Sequence, residues 1–279
     1  MMSKIPGGAK MKRLVWLCLI AAWAMGCGSS SDESDHDISD AAFEAGATWQ
    51  WQLLGTIDTS FDVDLYDIDL FDAPAETIDA LHEDGRAVVC YFSAGTYEDW
   101  RPDAALFTPA TLGEALPEWE GERWLDVRAE SVREAVRRRL DLAVEKGCDG
   151  VEPDNVDAYA NDSGFPLTAD DQLDFNLFIA GEARRRGLSV GLKNDIEQIP
   201  ELEAAFDWAL NESCMQYDEC AAYGPFLEAG KAVFHVEYVE KEEDGPAFAE
   251  DVCDSPEREG LSTLVKTWEL TAWRIACGD

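Results

Sequence analysis

Short apolar segments alternate with helical segments along most of the chain, and this alternation constrains the fold more than any other feature. The predicted strands are 65–70, 87–93, 123–127, 150–154, 188–193, 206–212, 231–238 and 261–267. The predicted helices are 75–84, 131–146, 169–186, 197–205, 221–229 and 245–253. Several helices end at a glycine directly before the next strand, as a left-handed helix end requires. Eight such units, without a phosphate-binding glycine motif, predict one α/β domain folded as a (β/α)8 TIM barrel.

The N-terminal segment predicts export. A basic segment, 10–13, precedes an apolar run, 14–24, that is too short to span a bilayer. The sequence AMGC, which ends at Cys27, is similar to the lipobox of bacterial lipoproteins, in which the cysteine is lipidated. We therefore expect a lipid-anchored protein of the cell envelope, and ordinary signal cleavage with full secretion stays open.

The predicted domain organisation follows from these segments. The signal is followed by a Ser/Asp-rich stretch without hydrophobic periodicity, which is typical of a disordered tether. The boundaries are 1–27 for the signal peptide, 28–45 for the tether and 46–279 for the barrel.

The charge balance restricts the partners of the protein. The chain has 22 Lys and Arg residues against 58 Asp and Glu residues, which gives a net charge of −36. Such a surface repels nucleic acids and anionic lipids and attracts cations, including amino sugars. We expect a monomer that contacts a membrane only through its lipid anchor, and the charge is equally explained by solubility.

Two cysteine pairs are expected to form disulfides, because export permits them. Cys214 and Cys220 are close in sequence and would pair across a loop, and Cys253 and Cys277 would fix the C-terminal segment.

The other two cysteines of the domain have a different expectation. Cys90 and Cys148 lie beside predicted strands and are candidates for free, buried residues, and their pairing stays open. The chain has no CxxC motif and only 3 histidines, so no metal site is expected.

Polar residues close several predicted strands, where barrel active sites lie. Two-residue alternation places Asp67 and Asp69 on one face of the first predicted strand, and Glu152 and Asp154 on one face of the fourth. Further polar residues close the strands that follow: Tyr91, Lys193, Asn194, Asn211, Glu212, Glu237 and Tyr238. Any one acid is explained by a solvated loop, but acids closing four strands favour a site. Paired carboxylates with aromatic neighbours suit glycoside chemistry.

Five of these segments closely resemble glycoside hydrolase family 114. They are YDID at 66–69, YFSAG at 91–95, GVEPDNVD at 150–157, GLKN at 191–194 and NESC at 211–214. The similarity runs from about residue 49 to about residue 238. That family contains endo-α-1,4-polygalactosaminidases and the hydrolase domain of the Pel polysaccharide protein.

The resemblance implies a retaining mechanism in which Asp154 is the nucleophile and Glu212 is the general acid/base. The family often has Gln where Ser213 stands, a change beside the site. No cofactor is expected. The remaining strand-end residues form the expected sugar-binding shell: Asp67, Asp69, Tyr91, Glu152, Lys193, Asn194, Asn211, Glu237 and Tyr238.

The predicted function is endo-hydrolysis of an α-1,4-linked polysaccharide that contains galactosamine. Two alternatives stay open. One is a surface barrel that binds polysaccharide without cutting it, and the other is the same barrel chemistry on a different exported glycan.

Overall fold

The computed structural model of the chain describes residues 42–278. In chain order its strands are β1 (Trp49–Gln52), β2 (Leu65–Asp69), β3 (Ala87–Ser93), β4 (Thr96–Glu98), β5 (Leu112–Ala115), β6 (Glu122–Leu125), β7 (Gly150–Asp154), β8 (Ser189–Lys193), β9 (Trp208–Glu212), β10 (Val233–Val239), β11 (Ser262–Thr267) and β12 (Ile275–Ala276). Its α-helices are α1 (Ala75–Glu83), α2 (Glu130–Lys146), α3 (Ala169–Arg185), α4 (Ile199–Leu202), α5 (Cys214–Tyr217), α6 (Gly224–Glu228) and α7 (Gly245–Asp254).

Nine strands form one curled sheet in the order β1-β2-β3-β7-β8-β9-β10-β11-β12. The first eight pair in parallel and β12 pairs antiparallel to β11. Side chains join the two outer parallel strands, since Trp49 Nε1 donates to the Ser262 carbonyl at 2.9 Å and Ser262 Oγ donates to the Ala47 carbonyl at 2.6 Å. The α/β class is confirmed, and the curled parallel sheet is consistent with a TIM-like barrel.

The prediction of segment 123–127 as a barrel strand is wrong. That segment forms β6, which pairs antiparallel with β4 and β5 in a separate three-stranded sheet. The missing barrel strand is β1, whose sequence WQWQ is buried at all four positions. The two glutamines interrupt the apolar pattern of β1, so a search for apolar runs does not find this strand. β6 instead pairs with β4 within the long connection between β3 and β7.

Aromatic rings from the amino-terminal ends of the strands fill that part of the sheet interior. The ring centroid of Phe234 lies 4.8 Å from that of Trp49 and 5.5 Å from that of Trp208. A side chain at Gly191 would meet the Trp208 ring, because a Cβ built there lies 2.3 Å from it. The opposite face of the sheet packs against the helices through residues such as Val136 and Ile179. Apolar packing therefore supports the sheet from both faces and leaves the carboxyl ends of the strands for polar groups.

The structure contains three disulfides among its described residues. The predicted pairs Cys214–Cys220 and Cys253–Cys277 are confirmed, with Cα–Cα distances of 4.8 and 5.2 Å.

The pairing of Cys90 and Cys148, which the sequence left open, is decided by the structure. They form a disulfide with a Cα–Cα distance of 6.0 Å. Cys90 lies on β3 and Cys148 lies two residues before β7, so pairing of these two strands brings the sulfurs together. The strands are adjacent in space but 58 residues separate the cysteines, so the sequence alone leaves the pairing open.

The predicted signal peptide and lipidation site at Cys27 lie outside the described residues. Residues 42–45, assigned to the tether by sequence, contact the folded domain: Ala42 is buried and Glu44 bridges to Lys231. Within residues 42–278, no helix combines the length and apolarity needed to span a membrane.

We expect the Cys90–Cys148 bridge to stabilise the fold more than the Cys214–Cys220 bridge does, because it closes a chain segment of 58 residues rather than 6. Chain entropy predicts losses of about 4 and about 2 kcal/mol on removal, respectively. Urea unfolding of the two double alanine variants measures this, and equal losses would contradict the order.

Candidate active site

Three neighbouring strands end at charged residues that meet at one point. These residues are Asp154 on β7, Lys193 on β8 and Glu212 on β9. Each is followed directly by a non-glycine residue with a left-handed backbone: Asn155 (φ 59°), Asn194 (φ 47°) and Ser213 (φ 63°). Such conformations cost free energy outside glycine, and they are concentrated at functional sites.

Lys193 is the centre of the site. Its ammonium lies 2.8 Å from Glu152 Oε1, 3.2 Å from Asp154 Oδ1 and 3.2 Å from Glu212 Oε2. The Trp51 ring lies against the same ammonium, 4.7 Å from its centroid. Lys193 is only 2% exposed, and the surrounding carboxylates raise its pKa well above the ordinary value. It therefore stays charged and holds the three carboxylates together.

Asp154 is fixed by donors on three sides. Besides Lys193, the Tyr91 hydroxyl donates to Oδ2 at 3.1 Å and the Asn155 backbone N–H donates to Oδ1 at 2.8 Å. Burial and the charge of Asp154 raise the pKa of Tyr91 well above its ordinary value, so its hydroxyl stays protonated.

Glu212 is fixed in a similar way. The Tyr238 hydroxyl donates to Oε1 at 2.5 Å and the Asn194 side chain donates to Oε2 at 3.2 Å. The Asn194 side-chain oxygen accepts the Glu212 backbone N–H at 3.0 Å, and it also accepts from Asn211 at 3.3 Å. The side chain of Glu212 is 26% exposed, so it remains accessible from solvent.

A second carboxylate layer lies beneath these residues. Glu152 is fully buried, accepts from Trp51 Nε1 at 3.1 Å, and has its pKa raised to about 7 by burial. Below it, burial and the charge of Glu152 raise the pKa of Asp67 well above its ordinary value. Asp67 therefore ionises less readily than an exposed aspartate, which limits the negative charge beneath the site.

A cleft of about 660 Å³ opens above Asp154, Lys193 and Glu212. Among the predicted sugar-binding residues, five line this cleft: Asp69, Tyr91, Lys193, Asn194 and Tyr238. Four are buried and do not line it: Asp67, Glu152, Asn211 and Glu237.

Two of these residues have contacts that define their roles. Both carboxylate oxygens of Asp69 accept from Arg101, at 2.9 and 2.7 Å, so the charge of this acid is already balanced by a guanidinium group. Glu237 accepts from the Met215 backbone N–H at 2.8 Å and contacts His235 at 3.0 Å, which fixes the turn after β9.

Several cleft residues were missed by the strand-end argument. Trp51 lies on the unpredicted strand β1, and Glu98 and Glu122 lie on the insertion between β3 and β7. Trp268, which is 46% exposed, stacks on Tyr238 with 3.9 Å between ring centroids. The alternation of Trp and Gln in WQWQ indicates a strand at Trp51, whereas no local sequence pattern indicates that the insertion residues lie at the cleft.

One group among the described residues has the spacing of metal ligands. Ligand atoms of Cys214, Cys220 and His235 lie within 4.8 Å of one another. Its two sulfurs are bonded to each other, so neither is a thiolate that can bind a metal.

Comparison with known proteins decides the family. The model of glycoside-hydrolase family GH114 matches residues 30–279. The chain belongs to this family. It is therefore a glycoside hydrolase, and the resemblance seen in the sequence is confirmed.

Solved structures agree with this assignment. The chain is 43% identical to Aspergillus fumigatus Ega3, whose crystal structure is a complex with galactosamine; the match covers 84% of this chain and 96% of Ega3 with a TM-score of 0.80. The glycoside hydrolase domain of PelA from Pseudomonas aeruginosa is 15% identical, with 82% and 97% of the two chains covered and a TM-score of 0.63, which shows a shared fold. An uncharacterized protein of Deinococcus radiodurans is 26% identical, with 73% and 71% covered.

We expect Lys193→Met to destabilise the fold by about 3–5 kcal/mol at neutral pH, because it leaves buried carboxylates without a cation. The Glu152 pKa is raised above its ordinary value of 4.5. Ionisation of Glu152 therefore lowers the free energy of unfolding as pH rises. This decrease is larger when Lys193 is absent. The loss should be smaller near about pH 5 than near about pH 8.

Urea unfolding at the two pH values measures this effect. Lys241→Met is the control, because its ion pair with Glu243 is exposed at both ends, 69% and 77%. Such a pair contributes about 0–1 kcal/mol. A pH-independent loss in Lys193→Met would contradict the role assigned to Lys193.

Proposed function

We propose that this glycoside hydrolase cleaves α-1,4-linked galactosamine-containing polysaccharide at internal bonds, with retention of configuration. The observation that carries the proposal is the placement of Asp154 and Glu212 on one ammonium at the floor of the cleft. The substrate class is supported by the 43% identity to Ega3, whose structure holds galactosamine.

The spacing of the two carboxylates supports retention. One oxygen of each lies 3.2 Å from the same Lys193 nitrogen, so these two oxygens are separated by at most twice that distance. Inverting enzymes keep the carboxyl groups about 6.5–9.5 Å apart to admit a water molecule, and retaining enzymes about 5–5.5 Å. This upper bound admits the spacing of retaining enzymes, which supports direct attack by a carboxylate.

The reaction then has two steps. Asp154 attacks the anomeric carbon, the bond from that carbon to the glycosidic oxygen breaks, and Glu212 gives its proton to the departing oxygen. Glu212 next takes a proton from water, whose oxygen attacks the same carbon and releases the Asp154 carboxylate. Tyr91 and Tyr238 hold the two acids in position throughout.

The shape of the cleft supports action within a chain of sugars. Its rim has three exposed tryptophans: Trp100 (51% exposed), Trp119 (49%) and Trp268 (46%). Aromatic faces of this kind bind the apolar faces of sugar rings. Their positions at the rim suit sugar units beyond the one that reacts.

Export of the protein is part of the proposal. Three disulfides support an oxidising compartment, where such bonds persist. The sequence at 24–27 supports lipidation of Cys27, which would hold the enzyme at the cell envelope.

We expect Asp154→Asn and Glu212→Gln each to lower turnover of deacetylated galactosamine polymer by orders of magnitude, because each removes one reacting carboxylate and preserves its shape. Product formation measures turnover, and thermal unfolding checks that the fold is intact. Asp79→Asn and Glu250→Gln are matched controls at exposed helix positions.

Three outcomes separate the alternatives. Near-native activity of Asp154→Asn or Glu212→Gln on every glycan would refute the catalytic assignment. A wild-type protein that binds polymer without cutting any glycan would be a binding barrel. A wild-type protein that cuts only other exported glycans would keep the chemistry and change the substrate.

We expect the full-length protein to partition with membranes and Cys27→Ala to lose this partitioning, because lipidation needs the thiol. Fractionation of cells that express each form measures the effect. If both forms show the same distribution after export, the lipidation proposal is wrong and the protein is secreted without an anchor.

A further inference from the structure

The cleft has an apolar wall on the Glu212 side. In sheet order β9 is followed by β10 and β11, and β11 contacts β1 through Trp49 and Ser262. Among the described lining residues, the segments that leave β1 and β11 at their carboxyl ends add one charged side chain, that of Glu269. The other side chains that these two segments add are apolar and form the apolar wall: Leu53, Leu54, Trp268 and Leu270.

Hydrogen bonds of the backbone hold the apolar wall together. The backbone N–H groups of Leu53 and Leu54 both donate to the Leu270 carbonyl, at 3.0 and 3.2 Å. The buried ammonium of Lys266 donates to the Thr271 carbonyl at 2.7 Å, which ties the segment after β11 to the strand itself. Leu270 has a left-handed backbone (φ 47°), a conformation that is concentrated at functional sites. The wall is therefore a fixed surface of the cleft.

Trp268 places an exposed ring beside Glu212. Its ring stacks on that of Tyr238, with 3.9 Å between centroids and an angle of 12° between the planes. The Tyr238 hydroxyl donates to Glu212 Oε1 at 2.5 Å, so a single tyrosine separates Trp268 from this carboxyl group. Tyr238 covers one side of Trp268, and 46% of the surface of Trp268 stays exposed.

The position of the apolar wall determines which sugar unit it can hold. In the proposed reaction Glu212 gives its proton to the departing glycosidic oxygen, so the departing sugar lies on the Glu212 side of the reacting unit. The apolar wall lies on that side, and aromatic surfaces bind the apolar faces of sugar rings. After the departing sugar leaves, the same surface can hold another saccharide, with a hydroxyl group where the glycosidic oxygen was.

A saccharide has an advantage over water at this wall. The apolar side chains offer no hydrogen bonds to water, and the Tyr238 hydroxyl already donates to Glu212. A saccharide that stacks on Trp268 gains apolar contact, and its hydroxyl group is then held close to the reacting carbon. Holding a reacting group in place in this way makes the step effectively unimolecular. A bound hydroxyl group therefore competes with water for the glycosyl unit.

We propose that the enzyme also catalyses transglycosylation, in which the glycosyl unit on Asp154 passes to a hydroxyl group of a second galactosamine saccharide held on the apolar wall. The proposal rests on the proposed function, because only a retaining enzyme forms the covalent intermediate. The acceptor oxygen attacks the anomeric carbon, the bond from that carbon to the Asp154 carboxylate breaks, and Glu212 takes the hydroxyl proton. The saccharide takes the place of water, and no other reactant is needed.

The test uses a deacetylated α-1,4-galactosamine oligomer of one defined length. Hydrolysis gives only shorter products, whereas transfer also gives products longer than the starting oligomer. Mass spectrometry of the products measures both reactions. We expect wild type to form longer products, and their share should rise with the oligomer concentration, because the acceptor competes with water at constant concentration.

Variants on the two sides of the cleft assign the acceptor position. Trp268→Ala should lower the ratio of transfer to hydrolysis by about ten-fold, as expected for the loss of one aromatic contact to the acceptor. Trp268→Phe keeps a ring and should retain part of the ratio. Trp119→Ala, on the insertion between β3 and β7, should lower both reactions and leave the ratio unchanged.

A surface control and an unfolding measurement separate these effects from folding. Leu177→Ala removes an exposed apolar side chain of α3 that does not line the cleft, and it should change neither reaction. Thermal unfolding checks that the fold of each variant is intact.

Two outcomes would overturn the proposal while hydrolysis stands. One is a wild-type enzyme that forms only shorter products at every oligomer concentration. The other is a wild-type ratio of transfer to hydrolysis in Trp268→Ala, which would show that the acceptor is not held on the apolar wall. A wild-type enzyme that does not cut the oligomer at all would instead refute the proposed function.

Discussion

The ammonium of Lys193 is the interaction on which the active site depends. It contacts Glu152 and Asp154 on β7 and Glu212 on β9, the strands on either side of its own strand β8. Without this cation, the carboxylates at the end of the sheet interior would repel one another in a region of low dielectric constant. Its charge is secured by the same carboxylates, so the four groups stabilise one another. One buried cation thus makes a paired-carboxylate site compatible with a stable fold.

The rest of the molecule serves to hold this cluster in place. Below it, rings such as Trp49 and Trp208 fill the sheet interior and exclude water. Around it, Tyr91 and Tyr238 each give a hydroxyl to one of the two acids. The left-handed residues after the three strand ends turn the backbone away at once, which leaves the acids facing the cleft. The two acids of the candidate site are therefore placed by rigid strands rather than by loops.

The insertion between β3 and β7 gives the cleft a different character on one side. The strands of the main sheet contribute acids that are balanced by Lys193, whereas the insertion contributes Glu98 and Glu122 with incomplete balance. The main sheet and the insertion therefore give the cleft two groups of acids that differ in charge balance.

Local patterns in the sequence determined much of this protein: the alternation of strands and helices, the carboxylates that close β7 and β9, and the short disulfide Cys214–Cys220. Each depends on residues close together in the chain. Only the tertiary structure decided that β1 replaces segment 123–127 in the main sheet, that Cys90 bonds to Cys148, and that Glu98 faces Glu122. Those features depend on which distant segments become neighbours, and strand pairing settles this through packing of the whole chain rather than through any local pattern.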